Sequence, residues 1–226
     1  MRCSIAARHD TERCACFVTR GSCAWVGVAV LLAACVLLGW QLTHASAPAI
    51  RPELLDWQPA LAFSQPWRAF SAVFVHYSAE HLIGNLAGVA LAGVFGVVAR
   101  VSTRMAWAWL AAWPLTHWGL LVKPELTHYG GLSGVVHAGV AIVIVYVLAT
   151  GTRAQRLVGS AVLAGFCGKL LSESPWGAAL RHPSGWDIAV APIAHATGSL
   201  AGALCAGILL LLPAHQLKLA KLENHA

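Results

Sequence analysis

Long apolar runs separated by short polar punctuation set the pattern of this chain. Six runs stand out, at roughly 22–42, 80–99, 105–122, 132–150, 155–172 and 188–212. A hydrocarbon layer of roughly 30 Å needs about 20 residues of helix at 1.5 Å each, so runs of this length predict membrane-spanning helices. The expected fold is therefore an all-α polytopic membrane protein. Pro114, inside the third and tryptophan-rich run, predicts a kink there.

The polar residues between the runs orient them. Arg2, Arg8, Arg13, Arg20, Arg100, Arg104, Arg153, Arg156, Lys218 and Lys221 fall on one set of flanks. Only Arg51, Arg68, Lys123 and Arg181 fall on the other. Short loops rich in Lys and Arg stay cytoplasmic, so six spans with both termini cytoplasmic fit every group. Lys169, near the outer end of the fifth run, is expected to snorkel. Residues 1–21 read as a polar basic cytoplasmic tail, 22–212 as one membrane domain and 213–226 as a second cytoplasmic tail. Ala45-Ser46-Ala47 resembles a signal-peptidase site. The run before it is long for a signal peptide, however, and the charge pattern works with that run retained.

Composition agrees with a membrane class. Hydrophobic residues make up 58% of the 226 and charged residues 11%, against about 25% charged in soluble domains. The net charge of +6 comes as small groups between apolar runs. It does not form a basic stripe interleaved with aromatics, which argues against nucleic acid as a partner. The seven cysteines contain no CxxC pair, so neither a disulfide framework nor thiolate chemistry is expected.

Polar groups at membrane depth carry the candidate chemistry, because each is costly there. Near the outer ends of their runs lie His81 and Asn85 in the second, Ser133 in the fourth and His195 in the sixth. Any one of them alone reads as interhelical glue, but all four fall at a similar depth. Gly130, Gly131 and Gly134 surround Ser133 and permit tight backbone geometry at a helix mouth, where free amides point outward. Donors so placed suit an oxyanion. His195, Gly198 and Gly202 share one helix face, which allows close packing. His137, one turn after Ser133, could reach back toward it by geometry alone. The stretch from Gln65 to Asn85 places Trp67 and Arg68 at an interface and AFSAVFVHY in a helix lying along it.

Four pieces in order, WR, HLIGN, YGGLSG and AHATGSLAG, resemble the rhomboid intramembrane serine proteases over roughly residues 65–212. The KPEL stretch at 123–126 and the histidine of GLSGVVHAG are similar to the rhombosortase branch. The resemblance implies a six-helix core in the inner membrane with its site facing outward. In it Ser133 is the nucleophile, His195 the general base, and His81, Asn85 and the Gly130 region the oxyanion site. It makes His137, which stands where many relatives carry tyrosine, a support for His195. A Ser-His dyad with no acidic third member is implied, as no Asp or Glu is expected at this depth. No cofactor or metal is called for. The implied partners are the lipid bilayer and transmembrane protein substrates, those of rhombosortases bearing a C-terminal Gly-Gly sorting signal. Two other readings are an inactive rhomboid-like binding protein and a metal-binding membrane protein. The second is prompted by eleven histidines but lacks an HExxH or Cys-His spacing.

Overall fold

The structure, a computed structural model, describes residues 19–45 and 48–212. Most of the N-terminal tail, Ser46 and Ala47 of the cleavage-like site, and the C-terminal tail lie outside the described residues. Six long helices follow one another: α1 Arg20–His44, α2 Ala79–Val98, α3 Thr103–Trp118, α4 Ser133–Thr150, α5 Arg153–Ser172 and α6 Pro192–Leu211. Each matches one of the apolar runs. Four of them, α1, α2, α4 and α6, are long and apolar enough to cross a membrane. At 16 residues α3 is shorter and continues as a 3₁₀ turn, Gly119–Val122. Less apolar than the others, α5 carries Arg153, Arg156 and Lys169.

Local chemistry sets the helix ends. The Thr19 hydroxyl accepts from the Ser22 amide, the Ser78 hydroxyl accepts from the His81 amide, and Thr152 with Gln155 forms a capping box. One expectation needs correction. The sixth helix starts at Pro192, not at 188, because proline at the first helical position lacks the N–H that a preceding turn would use. Ala191 before it is extended, and Val190 pairs with Arg181. The third helix continues through Pro114 to Trp118 and then tightens into its 3₁₀ turn.

At the centre stands α4, with most of its length buried. It packs most extensively on α6, and the small residues explain how. A Cβ on Gly198 would overlap the carbonyl of Gly134, and one on Gly202 would overlap that of Ala138. The two backbones therefore touch, which is how helices associate where lipid offers no hydrophobic drive between them. On the other side, Trp25 and Trp109 stack with ring centroids 4.3 Å apart. Their indole N–H groups donate to the Ala92 and Val135 carbonyls at 3.0 and 2.8 Å. Large apolar side chains such as Leu91, Val94, Leu200 and Leu204 point outward from α2 and α6, as a lipid-facing surface requires.

Between α1 and α2 the chain folds back on the helices in short helical turns. Arg68–Ser71 is a short helix followed by a 3₁₀ turn at Ala72–Phe74, and Ala69, Ala72, Val73, Val75 and His76 are buried. Buried Arg68 donates to the Asp56 carboxylate, to the Asp56 and Glu53 carbonyls and to Gln65. A backbone bridge between Trp57 and Tyr129 then ties this segment to the loop that leads into Ser133.

Candidate active site

Ser133 is the first residue of α4, so the amides around it have no intrahelical acceptor. The loop before it is held by the Gly131 amide, which donates to the Ala72 carbonyl at 2.9 Å. Gly131 has φ of +133°, a conformation open to glycine and rarely to other residues. A Cβ there would also press on the His81 ring, 2.8 Å away. Glycine thus lets the loop pass directly over α2.

Close contact of α4 and α6 brings in the histidine. His195 Nε2 lies 3.0 Å from Ser133 Oγ across 62 residues of sequence, and the His195 side chain is buried. Its other nitrogen, Nδ1, donates to Glu173 Oε2 at 2.7 Å. Because Nδ1 then carries the proton, Nε2 presents a lone pair and Ser133 is the donor in the shared bond.

His137 is placed differently. Its ring stacks on His195, with centroids 4.0 Å apart and planes 11° apart. His137 Nδ1 lies 2.7 Å from the Ser133 carbonyl oxygen, which can only accept, so Nδ1 is the donor. The lone pair on its Nε2 faces Lys169 Nζ at 3.0 Å. Both nitrogens are occupied, and neither faces the Ser133 hydroxyl.

Glu173 corrects the expectation that no acid lies at this depth. It is the residue that follows α5, and it reaches His195 while accepting from Lys169 at i−4. Lys169 therefore places its charge between His137 and Glu173. Partial burial works against the Glu173 carboxylate, but the hydrogen bonds and charges of His195 and Lys169 outweigh it and hold its pKa at about 2. The sequence signal was the Lys169–Glu173 spacing of four at a helix end.

His81 and Asn85 sit on one face of α2, both buried. Asn85 Nδ2 and His81 Nδ1 have no hydrogen-bond partner, and Asn85 Nδ2 lies 3.8 Å from where a Gly131 Cβ would be. Buried polar atoms without a partner are uncommon, and a catalytic site is one setting that accounts for them. A recess of about 30 Å³ next to His81 is lined by Tyr77, His81, Tyr129, Gly130 and Ser133, with residues 188–191 as one wall. That wall is latched to α2 by Ser78, which donates to Asp187 at 2.8 Å, and by Trp186 seated against Gly84. Trp67 and Arg68 make none of the bonds at Ser133; Trp67 is exposed, and Arg68 organises the segment between α1 and α2. Among the described residues, no group of three or more His, Cys, Asp or Glu is arranged to hold a metal ion.

The rhomboid-domain family model matches residues 64–212, well over half of the chain. This chain belongs to the rhomboid family. The matched part begins just before the buried Arg68 and ends with α6, so it contains all the site residues described above. Comparison with curated proteins gives no match. As a rhomboid with apolar helices that expose large hydrophobic side chains, the protein is a multi-pass membrane protein of a family that typically cleaves transmembrane substrates.

Proposed function

We propose that this rhomboid is an intramembrane serine endopeptidase in which Ser133 is the nucleophile and His195 the general base. The observation that carries the reading is the 3.0 Å contact from Ser133 Oγ to His195 Nε2, set beside the buried Asn85 Nδ2 donor that lacks an acceptor. A serine hydroxyl is a weak nucleophile until a base takes its proton. Ser133 Oγ attacks the substrate carbonyl carbon as its proton passes to His195 Nε2. The carbonyl oxygen becomes an oxyanion, held by Asn85, His81 and the Ser133 amide beside Gly130. The C–N bond then breaks, and His195 returns the proton to the leaving amine. Water attacks the acyl-enzyme, gives a proton to His195 and releases the new carboxyl end, restoring Ser133.

In this reading the protein lies in the inner membrane with six spans and cytoplasmic termini, and residues 22–212 form the membrane domain. The site opens outward, where a water-filled recess makes non-helical backbone tolerable. The substrates are of the rhombosortase class, transmembrane proteins with a C-terminal Gly-Gly sorting signal. Support for this comes from the KPEL stretch at 123–126 and the histidine of GLSGVVHAG, which are similar to that branch.

A fluorophosphonate probe and terminal mapping of membrane-released proteins test both levels. Labelling lost in Ser133→Ala and His195→Ala, with Gly-Gly tails on the precursors that accumulate in Ser133→Ala cells, is the expected result. An unlabelled wild-type protein would overturn the protease reading in favour of an inactive rhomboid. Precursors with unrelated N-terminal anchors would overturn the rhombosortase assignment alone.

A further inference from the structure

Beyond Ser133 and His195, the contacts form a closed circuit. Ser133 Oγ donates to His195 Nε2, and His195 Nδ1 donates to Glu173 Oε2. Lys169 donates to both Glu173 Oε1 and His137 Nε2. His137 Nδ1 then donates to the carbonyl of Ser133 itself. Every donor in the circuit has an acceptor, and the stack of His137 on His195 crosses its middle.

Resting on the protease reading, we propose that Glu173 is the positioning acid of a Ser133–His195–Glu173 triad, with Lys169 and His137 holding that acid and the histidine in register. The physical argument runs through tautomers. A neutral imidazole has one N–H, and only the Nδ1–H form leaves Nε2 free to accept from Ser133. A carboxylate 2.7 Å from Nδ1 selects that form and stabilises the imidazolium that appears when Ser133 attacks. Glu173 is fixed at three points: Oε1 by Lys169, Oε2 by His195, and its backbone carbonyl by Arg181, which donates at 2.7 Å.

Solvent limits the size of the effect. The Glu173 side chain is 26% exposed against 8% for His195. A cavity of about 230 Å³, bordered by Glu173, Arg181, His182 and His195, opens beside the pair. Water there screens the carboxylate. Loss of Glu173 should therefore cost about 10- to 100-fold in kcat, well short of the ~10⁴ of a fully buried triad acid.

A purely structural role is the competing account, because α5 buries only Gly159 and Glu173 is one of its few polar ties to the rest of the molecule. The two accounts separate when Glu173→Gln, Glu173→Ala and Glu173→Asp are assayed in detergent or liposomes. The measurements are kcat and KM for a transmembrane substrate and the saturating rate of fluorophosphonate labelling at Ser133. The triad predicts a lower kcat and a slower labelling rate in Gln and Ala, partial recovery in Asp, and little change in KM. A raised KM with labelling at the wild-type rate in Glu173→Ala would overturn the triad and leave the protease reading intact. A wild-type protein that neither labels nor cleaves would overturn both.

Discussion

The imidazole of His137 lies flat against that of His195, with 4.0 Å between centroids. Of the two histidines that the sequence offers to Ser133, one faces the hydroxyl and the other faces the first. Stacking fixes the plane of the His195 ring, and the two hydrogen bonds of His137 fix its own.

His137→Phe therefore keeps the ring face and loses both hydrogen bonds. Cleavage and Ser133 labelling should stay measurable in it. His137→Ala removes the face too and should be weaker in labelling, with a loss of stability of about 0.5–1.5 kcal/mol from the missing ring pair. His195→Ala should show no cleavage at all. An active His195→Ala enzyme beside a dead His137→Phe one would reverse the two roles.

The α4–α6 contact gives the second prediction. Gly198→Val places a side chain on the Gly134 carbonyl, and the helices must part. A cost of about 1–3 kcal/mol or more is expected, together with loss of labelling as His195 is carried away from Ser133. Gly207, on the same helix with nothing near its missing Cβ, supplies the control. Gly207→Ala should melt no lower and cleave like wild type.

Asn85 provides a third, because its buried Nδ2 has no partner in the resting site. Asn85→Ala removes a donor that costs stability until an oxyanion forms. The expected outcome is a kcat lower by about 10²- to 10³-fold, a KM close to wild type and a melting temperature that does not fall. Equal loss in KM would assign Asn85 to substrate binding instead.

Acid should loosen the segment between α1 and α2 through His76. Burial, aided by the neighbouring His81, pushes its pKa from 6.5 to about 3. The unfolded chain takes up a proton below 6.5 that the folded one refuses, so stability is full above that value and falls as pH drops toward 3. Glu173 adds a second loss at lower pH, from 4.5 down to about 2, as its carboxylate is protonated. Melting curves of His76→Gln against wild type should converge with falling pH through the upper window. Parallel curves across it would remove His76 from the acid response.

Much of the site was legible because helix periodicity and span length are local properties. His81 and Asn85 at i, i+4, and His195, Gly198 and Gly202 on one face, follow from 3.6 residues per turn. The loops were less legible. Residues 65–77 carry interfacial-looking Trp67 and Arg68, yet Arg68 is buried because Asp56 and backbone carbonyls neutralise and satisfy its guanidinium. Pairing between residues this far apart has no period to read. Glu173 escaped notice for the same reason, lying just past the end of an apolar run.

By itself the sequence determined six helices, their order, a serine at one helix mouth and a small-residue face carrying a histidine. Those features arise from apolar length, capping and periodicity within single segments. The tertiary structure brought His195 onto Ser133 as the resemblance implied, and it alone decided that an acid stands behind that histidine and that Lys169 joins them to His137. These depend on how closely α4 and α6 approach and on where the turn after α5 sets its first side chain down. Both are settled by contacts between segments, through backbones that meet at glycine and through buried polar groups that must each find a partner.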